Sequence, residues 1–318
     1  MKNFALTGAG GYIAPRHFQA IKDTGNKLVA CVDPHDSVGI LDRYFPEASY
    51  FVEYERFDRH LELLRRKGDN ERIHYVSICS PNHLHDAHIR LALRLHADAI
   101  CEKPLVLNPW NLDSLEDLEK ETGSRVYTIL QLRVHPSLVQ LKQTLLASPS
   151  SQKHHVCLTY ITPRGSWYHY SWKGAKERSG GLATNIGVHF FDLLMWLFGD
   201  VQKSVVTIAE SDRMAGFLEQ QNANVHWYLS IRKEDLPPPS TQAQQTTFRS
   251  ITIDGKEIEF TEGFTNLHTR VYEETLRGNG FGVSDARPAI KLVYDIRNAV
   301  INSDPQYQHP YLHQPKKV

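Results

Sequence analysis

One junction near the start of the chain constrains the fold more than any other feature. The apolar run Phe4-Ala5-Leu6-Thr7 passes through Gly8-Ala9-Gly10-Gly11-Tyr12-Ile13-Ala14 into an amphipathic stretch over 15–24. A strand that turns into a helix within a few glycines is followed most easily by a second strand parallel to the first, because the helix must pack back on the sheet. The alternation continues: strand-like runs at 4–7, 27–32, 75–79, 98–101 and 126–130 are separated by helical stretches at 15–24, 85–95 and 109–122. Ala87, Leu91 and Leu95 mark an apolar helix stripe, and Gly123 sits just past the helix that Pro109 begins. This rhythm predicts an α/β domain with a parallel sheet over residues 1–132.

From Pro136 the order changes. A helix to about residue 146 and a polar stretch at 148–152 precede a strand-like run at 155–161 and a strongly apolar helical segment at 182–198. Behind it, 201–209, 225–231, 248–253 and 257–261 have strand character, and Asp254-Gly255 is a hairpin signal. Residues 133–318 therefore read as a second, α+β domain with a largely antiparallel, open-faced sheet. Pro237-Pro238-Pro239-Ser240 and the glutamine-rich run after it read as a mobile connection, and helices at 268–277 and 284–301 close the chain.

Length and composition agree with two domains. At 318 residues the chain exceeds the usual single core, and 41% hydrophobic with 23% charged residues is ordinary for a globular protein. Lys plus Arg equals Asp plus Glu at 36 each, so no global field draws the chain to nucleic acid or an anionic membrane. Cys31, Cys79, Cys101 and Cys157 show no CxxC pair and no metal-ligand rhythm, which predicts reduced thiols and no bound metal. The first apolar run is too short for a signal peptide, and no later stretch reads as long enough to span a bilayer, so the expected compartment is the cytoplasm.

The glycine junction also carries chemistry. Backbone N–H groups at a helix N-terminus can hold a dinucleotide pyrophosphate, which makes Gly8, Gly10, Gly11, Tyr12 and Ile13 candidate cofactor-binding residues of a Rossmann domain. The register is open. Read from Gly8, the third small position is taken by Ile13; read from Ala9, the pattern becomes A-x-G-x-x-A. Asp33 ends the second strand about twenty residues on, where a carboxylate can accept bonds from an adenosine ribose or cap the following loop. Pro34 and His35 follow it, with no arginine for a 2′-phosphate, which favours NAD over NADP.

Three further motifs extend the argument. Cys79-Ser80-Pro81-Asn82-His83-Leu84-His85 and Glu102-Lys103-Pro104 both follow strands, at the carboxyl edge where α/β sheets bind ligands. In Gly180-Gly181-Leu182-Ala183-Thr184-Asn185-Ile186-Gly187-Val188-His189-Phe190-Phe191-Asp192, a regular helix places Asn185, His189 and Asp192 on one face. Such a polar stripe needs either a ligand or the hydrogen bonds of a core histidine. Together the motifs resemble the Gfo/Idh/MocA family of sugar and cyclitol dehydrogenases over essentially the whole chain. Pro-Asn-x-x-His and Glu-Lys-Pro match residue for residue, and the third segment is similar to the family's catalytic helix. The resemblance implies catalytic roles for Lys103, His189 and Asn185 and a cis Lys103–Pro104 peptide. It also implies NAD contacts from Ser80, Pro81, Asn82, His83, His85, Glu102, Lys103, Gln131 and Trp172. It departs at Asn185, where many members carry aspartate; without that carboxylate, His189 or Lys103 must take the proton.

The segment Arg164-Gly165-Ser166-Trp167-Tyr168-His169-Tyr170-Ser171-Trp172-Lys173 mixes aromatic faces with cations. It suits a ligand combining rings with phosphate or carboxylate, or an aromatic loop packed on its own domain. Gly11 to His17, Asp33-Pro34 with Ser37-Val38-Gly39, Gln131-Leu132-Arg133 and Asn185 together resemble one subgroup of the family. Its members oxidise C3 of UDP-N-acetylglucosaminuronate on the way to diacetamido uronic acids of bacterial lipopolysaccharide. That resemblance implies substrate contacts from Lys103, Arg133, Arg164, Tyr168, Lys173, Asn185 and His189, and leaves open whether 2-oxoglutarate reoxidises NADH in place. A dehydrogenase of a neutral sugar or cyclitol and a non-catalytic NAD or nucleotide-sugar sensor are the competing readings. The cations of 164–173 speak against the first, and Lys103 with His189 against the second. The runs at 205–208 and 226–231 carry more apolar residues than one helix layer covers, which with the resemblance predicts a homo-oligomer, a tetramer, paired through the sheet.

Overall fold

A computed structural model describes residues 1–36, 38–148, 150–237, 246–258 and 266–313, and the chain divides into two units. Met1–His135 with Gly263–Arg287 form the first, and Pro136–Glu262 with Pro288–Val318 the second. This corrects the boundary expected at 132/133, because the segment 263–287 returns to the first unit. Its helix Leu267–Leu276 buries Val271 and Tyr272 in the same core as Phe4, Leu6 and Phe18. An amphipathic stripe carries no local mark of which core it serves.

The first unit is built on β1 (Asn3–Thr7), β2 (Lys27–Val32), β3 (Ser49–Phe51), β4 (Tyr75–Ile78), β5 (Asp98–Cys101) and β6 (Val126–Thr128). They lie in the order β3-β2-β1-β4-β5-β6, every pair parallel. The sequence reading found five of the six and missed β3 with the helix Tyr54–Arg66 after it. β3 has three residues, none fully buried, and so shows no apolar alternation. Register decides what meets at the carboxyl edge. Thr7 is level with both Val32 and Ile78, and Ile78 with Cys101, so Gly8, Asp33, Cys79 and Glu102 leave the sheet at one height.

The second unit carries β7 (His154–Ile161), β8 (Val201–Ala209), β9 (Arg213–Gln220), β10 (Ala223–Ser230), β11 (Phe248–Ile253) and β12 (Lys256–Glu257), in the order β12-β11-β7-β10-β9-β8. Four of the five pairings are antiparallel; β7 and β10 run parallel. β9 was not anticipated, since Gly216 and the mixed Arg213-Met214-Ala215 interrupt any alternation. The expected connection after Pro237 falls on 238–245, and most of the expected strand 257–261 on 259–261, all outside the described residues.

The helical run Lys176–Phe198 is long and apolar enough to cross a membrane by length and composition, contrary to the sequence expectation. Of its apolar window 67% is buried inside the protein, as a core helix requires. Phe191 meets Trp227 of β10 edge to face at 5.2 Å, and a Cβ on Gly187 would stand 2.7 Å from Leu229 and Phe191. The opposite sheet face buries Ile161, Ala215 and Tyr228 beneath Leu236, Phe248, Tyr311 and Leu312. The apolar surplus assigned from sequence to a partner is therefore taken up within the chain: Val205, Val206, Trp227, Tyr228, Leu229 and Ile231 are all buried.

Candidate functional site

The glycine turn of the first unit is built for close approach. Gly8 has φ of 84°, and a Cβ there would stand 2.6 Å from the Cys79 carbonyl carbon and 2.7 Å from the Ser80 nitrogen. Gly10 donates its N–H to Asp33 Oδ2 at 2.9 Å, His35 donates to Oδ1 at 2.9 Å, and Gly11 bonds the Gly8 carbonyl at 3.1 Å. A Cβ on Gly10 would stand 3.3 Å from the Asp33 carboxyl carbon. Gly8 is thus the position that tolerates no side chain, while Gly10 and Gly11, the latter 3.1 Å from the Gly8 carbonyl oxygen, leave little room for one, and Ile13 stands directly before the helix Ala14–Asp23. With no side chains at 8, 10 and 11, an anion can approach the helix start closely, where the N–H groups of Tyr12 and Ile13 are not among those engaged within the turn, a cradle that fits a dinucleotide pyrophosphate. Tyr12 beside it is 89% exposed. Asp33, 6% exposed, closes the turn with the same carboxylate that would face a ribose.

The next two motifs interlock through histidines. Ser80 Oγ bonds His88 Nδ1 at 2.8 Å, and that nitrogen lies 3.1 Å from Thr7 Oγ1. Burial lowers the His88 pKa to about 3, so the ring is neutral where it stacks on Tyr54 at 4.6 Å. His85 places Nε2 2.8 Å from the Ser80 carbonyl and Nδ1 2.8 Å from the Pro104 carbonyl. Burial lowers its pKa and these two carbonyls oppose the shift. Pro81 begins the turn Asn82–Leu84; Asn82 is buried and His83 exposed. Lys103 is half-buried, and its bond to Pro104 is cis, as expected.

Glu102 is 7% exposed and accepts from His17 at 3.0 Å and His268 at 2.9 Å. Burial alone would raise its pKa, but the hydrogen bonds from the two imidazoles hold it well below the ordinary carboxylate range. Neither His17 nor His268 was singled out for this role from sequence; the only signal is a polar residue in each apolar helix stripe. Gln131 keeps a buried Oε1 without a hydrogen-bond partner among the described residues, consistent with an acceptor awaiting a ligand's N–H. Arg133 is drawn elsewhere, bonding Asp285 at 3.0 Å and lying over the Phe281 ring at 5.5 Å.

In the second unit the segment Ala183–Gly187 is a π turn, which leads into the helix Val188–Phe198. Within 182–194, Asn185 and His189 are the two half-exposed positions, whereas Asp192 is 2% exposed. The wide turn thus splits the expected stripe, and π turns of this kind occur frequently at functional sites. Asn185 Nδ2 donates to the Tyr168 hydroxyl at 3.1 Å. Burial raises the Tyr168 pKa, with Asn185 and the Arg164 charge opposing it. Lys173 lies over Trp172 at 4.2 Å and near Trp167 at 6.0 Å, while Tyr170 is 90% exposed. His189 packs against Phe190 at 4.2 Å and meets Tyr160 edge-on at 6.4 Å; Arg249 lies 5.8 Å over the same Tyr160 ring. Tyr160 and Arg249 escaped the sequence reading because each is one residue in an ordinary strand, joined by the β7–β11 pairing.

The chain is similar to known proteins over most of its length. At 50% identity the chain is similar to the WlbA (WbpB) dehydrogenase from Thermus thermophilus in complex with NAD and UDP-GlcNAcA, with a TM-score of 0.93 over 98% of this chain and 100% of that one. A structure of the Thermus WlbA (WbpB) dehydrogenase with NAD and alpha-ketoglutarate gives 51% identity and a TM-score of 0.94, again over 98% of this chain and 100% of that one. Among curated relatives, the putative oxidoreductase YteT of Bacillus subtilis is 24% identical over 52% of this chain; the match spans only 38% of YteT's own length. Residues 2–129 match the family described as an oxidoreductase family with an NAD-binding Rossmann fold, and residues 153–236 match its C-terminal alpha/beta domain. By these two matches, in chain order and covering more than half of its length, the protein belongs to the Gfo/Idh/MocA oxidoreductase family.

Proposed function

We propose that this protein oxidises the C3 hydroxyl of UDP-N-acetylglucosaminuronate to the ketone with NAD as acceptor. The observation that carries the reading is 50% identity, over nearly the whole of both chains, to a dehydrogenase held with both of those molecules. Oxidising a secondary alcohol removes a hydride from carbon and a proton from oxygen. NAD, when bound, supplies the hydride acceptor, so the protein must bind, orient and take the proton.

Gly8, Gly10 and Gly11 would let the pyrophosphate approach the turn closely, the backbone N–H groups of Tyr12 and Ile13 would meet it, and Asp33 would face the adenosine ribose. Ser80, Pro81, Asn82, His83, His85, Glu102, Lys103, Gln131 and Trp172 complete the proposed cofactor contacts. His189 and Lys103 are the groups able to receive the C3 hydroxyl proton. Asn185 cannot, and its bond to Tyr168 suits it to orient the sugar or the imidazole. Arg164, Tyr168 and Lys173 would meet the anionic parts of the substrate. Arg133 is better assigned to holding Asp285. The product, a 3-keto nucleotide sugar, suits an aminotransferase and then an acetyltransferase, as lipopolysaccharide sugar synthesis would require. NAD and nucleotide sugars place the reaction in the cytoplasm.

Anaerobic mixing of the purified protein with NAD and UDP-N-acetylglucosaminuronate tests the reading. NADH absorbance and a 3-keto product are expected; NADH formed with myo-inositol but not with the nucleotide sugar would replace it with the neutral-polyol reading. Adding 2-oxoglutarate and assaying 2-hydroxyglutarate decides how NADH is reoxidised, a question raised by the Thermus complex with alpha-ketoglutarate.

A further inference from the structure

Lys103 stands between two residues whose polar groups lie against buried imidazoles. On one side, Glu102 Oε1 accepts from His17 Nε2 at 3.0 Å and from His268 Nε2 at 2.9 Å, and Oε2 accepts the Lys103 backbone N–H at 3.2 Å. On the other, the Pro104 carbonyl lies 2.8 Å from His85 Nδ1. The Glu102 arm continues inward, from His17 Nδ1 to the Tyr272 hydroxyl at 2.7 Å and from there to Ser77 Oγ at 2.6 Å. Ser77, His17 and Tyr272 are each 0% exposed.

Proton bookkeeping gives the chain one polarity. An ionised carboxylate only accepts, so both imidazoles present Nε2–H to it. A neutral His17 then has a lone pair on Nδ1, which the Tyr272 O–H fills, and the Tyr272 oxygen accepts from Ser77. The ligand-type atoms of His17, Glu102 and His268 lie within 4.8 Å of one another, a spacing a metal ion also produces. The donors and acceptors close without one, and an Nε2 that carries a proton offers no lone pair to a metal.

This arrangement exceeds what holding a loop demands. A buried carboxylate is costly and is kept only where its partners are complete. The partners come from distant parts of the sequence: His17 from the first helix, Ser77 from β4, and His268 with Tyr272 from the helix Leu267–Leu276. We propose that His17, His268 and Tyr272 are positioning residues for Lys103. They lock the Glu102 carboxylate, and that carboxylate, which also accepts the Lys103 N–H, fixes the backbone from which the lysine projects. The proposal rests on the reading of Lys103 as an active-site group.

Three variants test it in the full-length protein with NAD. Tyr272→Phe removes one hydroxyl and keeps the ring, His268→Leu removes one donor to Glu102, and His268→Gln restores an N–H donor. With UDP-N-acetylglucosaminuronate, kcat is expected to fall about ten- to hundredfold in the first two and to recover in part in the third, with KM held within about twofold. A second readout needs no turnover: with ¹³C-labelled lysine, the resonance missing from Lys103→Arg belongs to Lys103, and its titration midpoint is expected to move in Tyr272→Phe. An unchanged kcat and an unchanged Lys103 resonance alongside a lowered Tm would overturn the proposal and leave the network a purely structural one. Should His268→Leu not fold, Tyr272→Phe decides alone. If wild-type protein fails to reduce NAD with this sugar, the functional reading falls, while the lysine resonance still decides the positioning.

Discussion

At the scale of single residues, the roles separate into proton handling and cofactor seating. Lys103→Ala and His189→Ala are each expected to lower kcat by about a hundredfold or more while NAD still binds through the glycine turn and Asp33, more weakly in Lys103→Ala because that lysine is itself a proposed NAD contact. Parallel turnover assays and NAD titration check this; near wild-type turnover in either variant would remove that residue from the chemistry. Gly8→Ala is expected to do the reverse. Its methyl would stand 2.6 Å from the Cys79 carbonyl carbon at a φ of 84°. A stability loss of about 1–3 kcal/mol and a markedly weaker NAD affinity should follow, read by thermal melts and titration.

Among elements, buried histidines tie the βα loops together and set an acid limit on them. His17 and His88 are held neutral by burial, so their folded pKa values lie below the ordinary 6.5. Unfolded imidazoles therefore take up protons first. Stability is full above about 6.5 and declines as pH falls, over a window that for His88 reaches down to about 3. Glu102 acts in the same direction at lower pH, since its carboxyl is depressed and its contribution is lost on acidification. Tm is expected to drop steadily from pH 7 to 4, with a flatter acid limb in His88→Phe; an identical limb in that variant would exclude His88 as a source. In the second unit, the C-terminal turns Pro305–Tyr307 and Pro310–His313 act as a cover for the sheet. Tyr311 stacks on Tyr228 at 5.8 Å and donates to the Asp235 carbonyl at 2.8 Å. Tyr311→Ala should cost roughly 2 kcal/mol, measured by urea unfolding, and an unchanged midpoint would show that the segment does not stabilise the sheet.

For the whole molecule, a homo-oligomer remains our proposal, with a tetramer expected, but its argument has changed. The surplus of apolar strand residues is buried within the chain, by the helix Val188–Phe198 on one face and by Leu236, Phe248, Tyr311 and Leu312 on the other, so it no longer calls for a partner. What favours assembly is the family relation and the general preference for closed symmetry. Light scattering at micromolar concentration decides it: a tetramer mass is expected, and a monomer mass would end the proposal.

How much of this was legible in the sequence follows the range of each interaction. The strand–glycine–helix junction, the strand-ending Asp33 and the Glu102-Lys103-Pro104 motif are local patterns, and the sequence alone placed them on a parallel sheet edge, because period and turn chemistry act over a few residues. Asn185 and His189 were legible as a pair, although the π turn that leaves them open among buried neighbours was not. Only the tertiary structure decided that Arg133 is engaged by Asp285, that the segment 263–287 belongs to the first unit, and that His268 and His17 converge on Glu102. Those contacts join residues 85 to 166 positions apart, and a hydrogen bond across such a separation leaves no periodic trace in the chain that makes it.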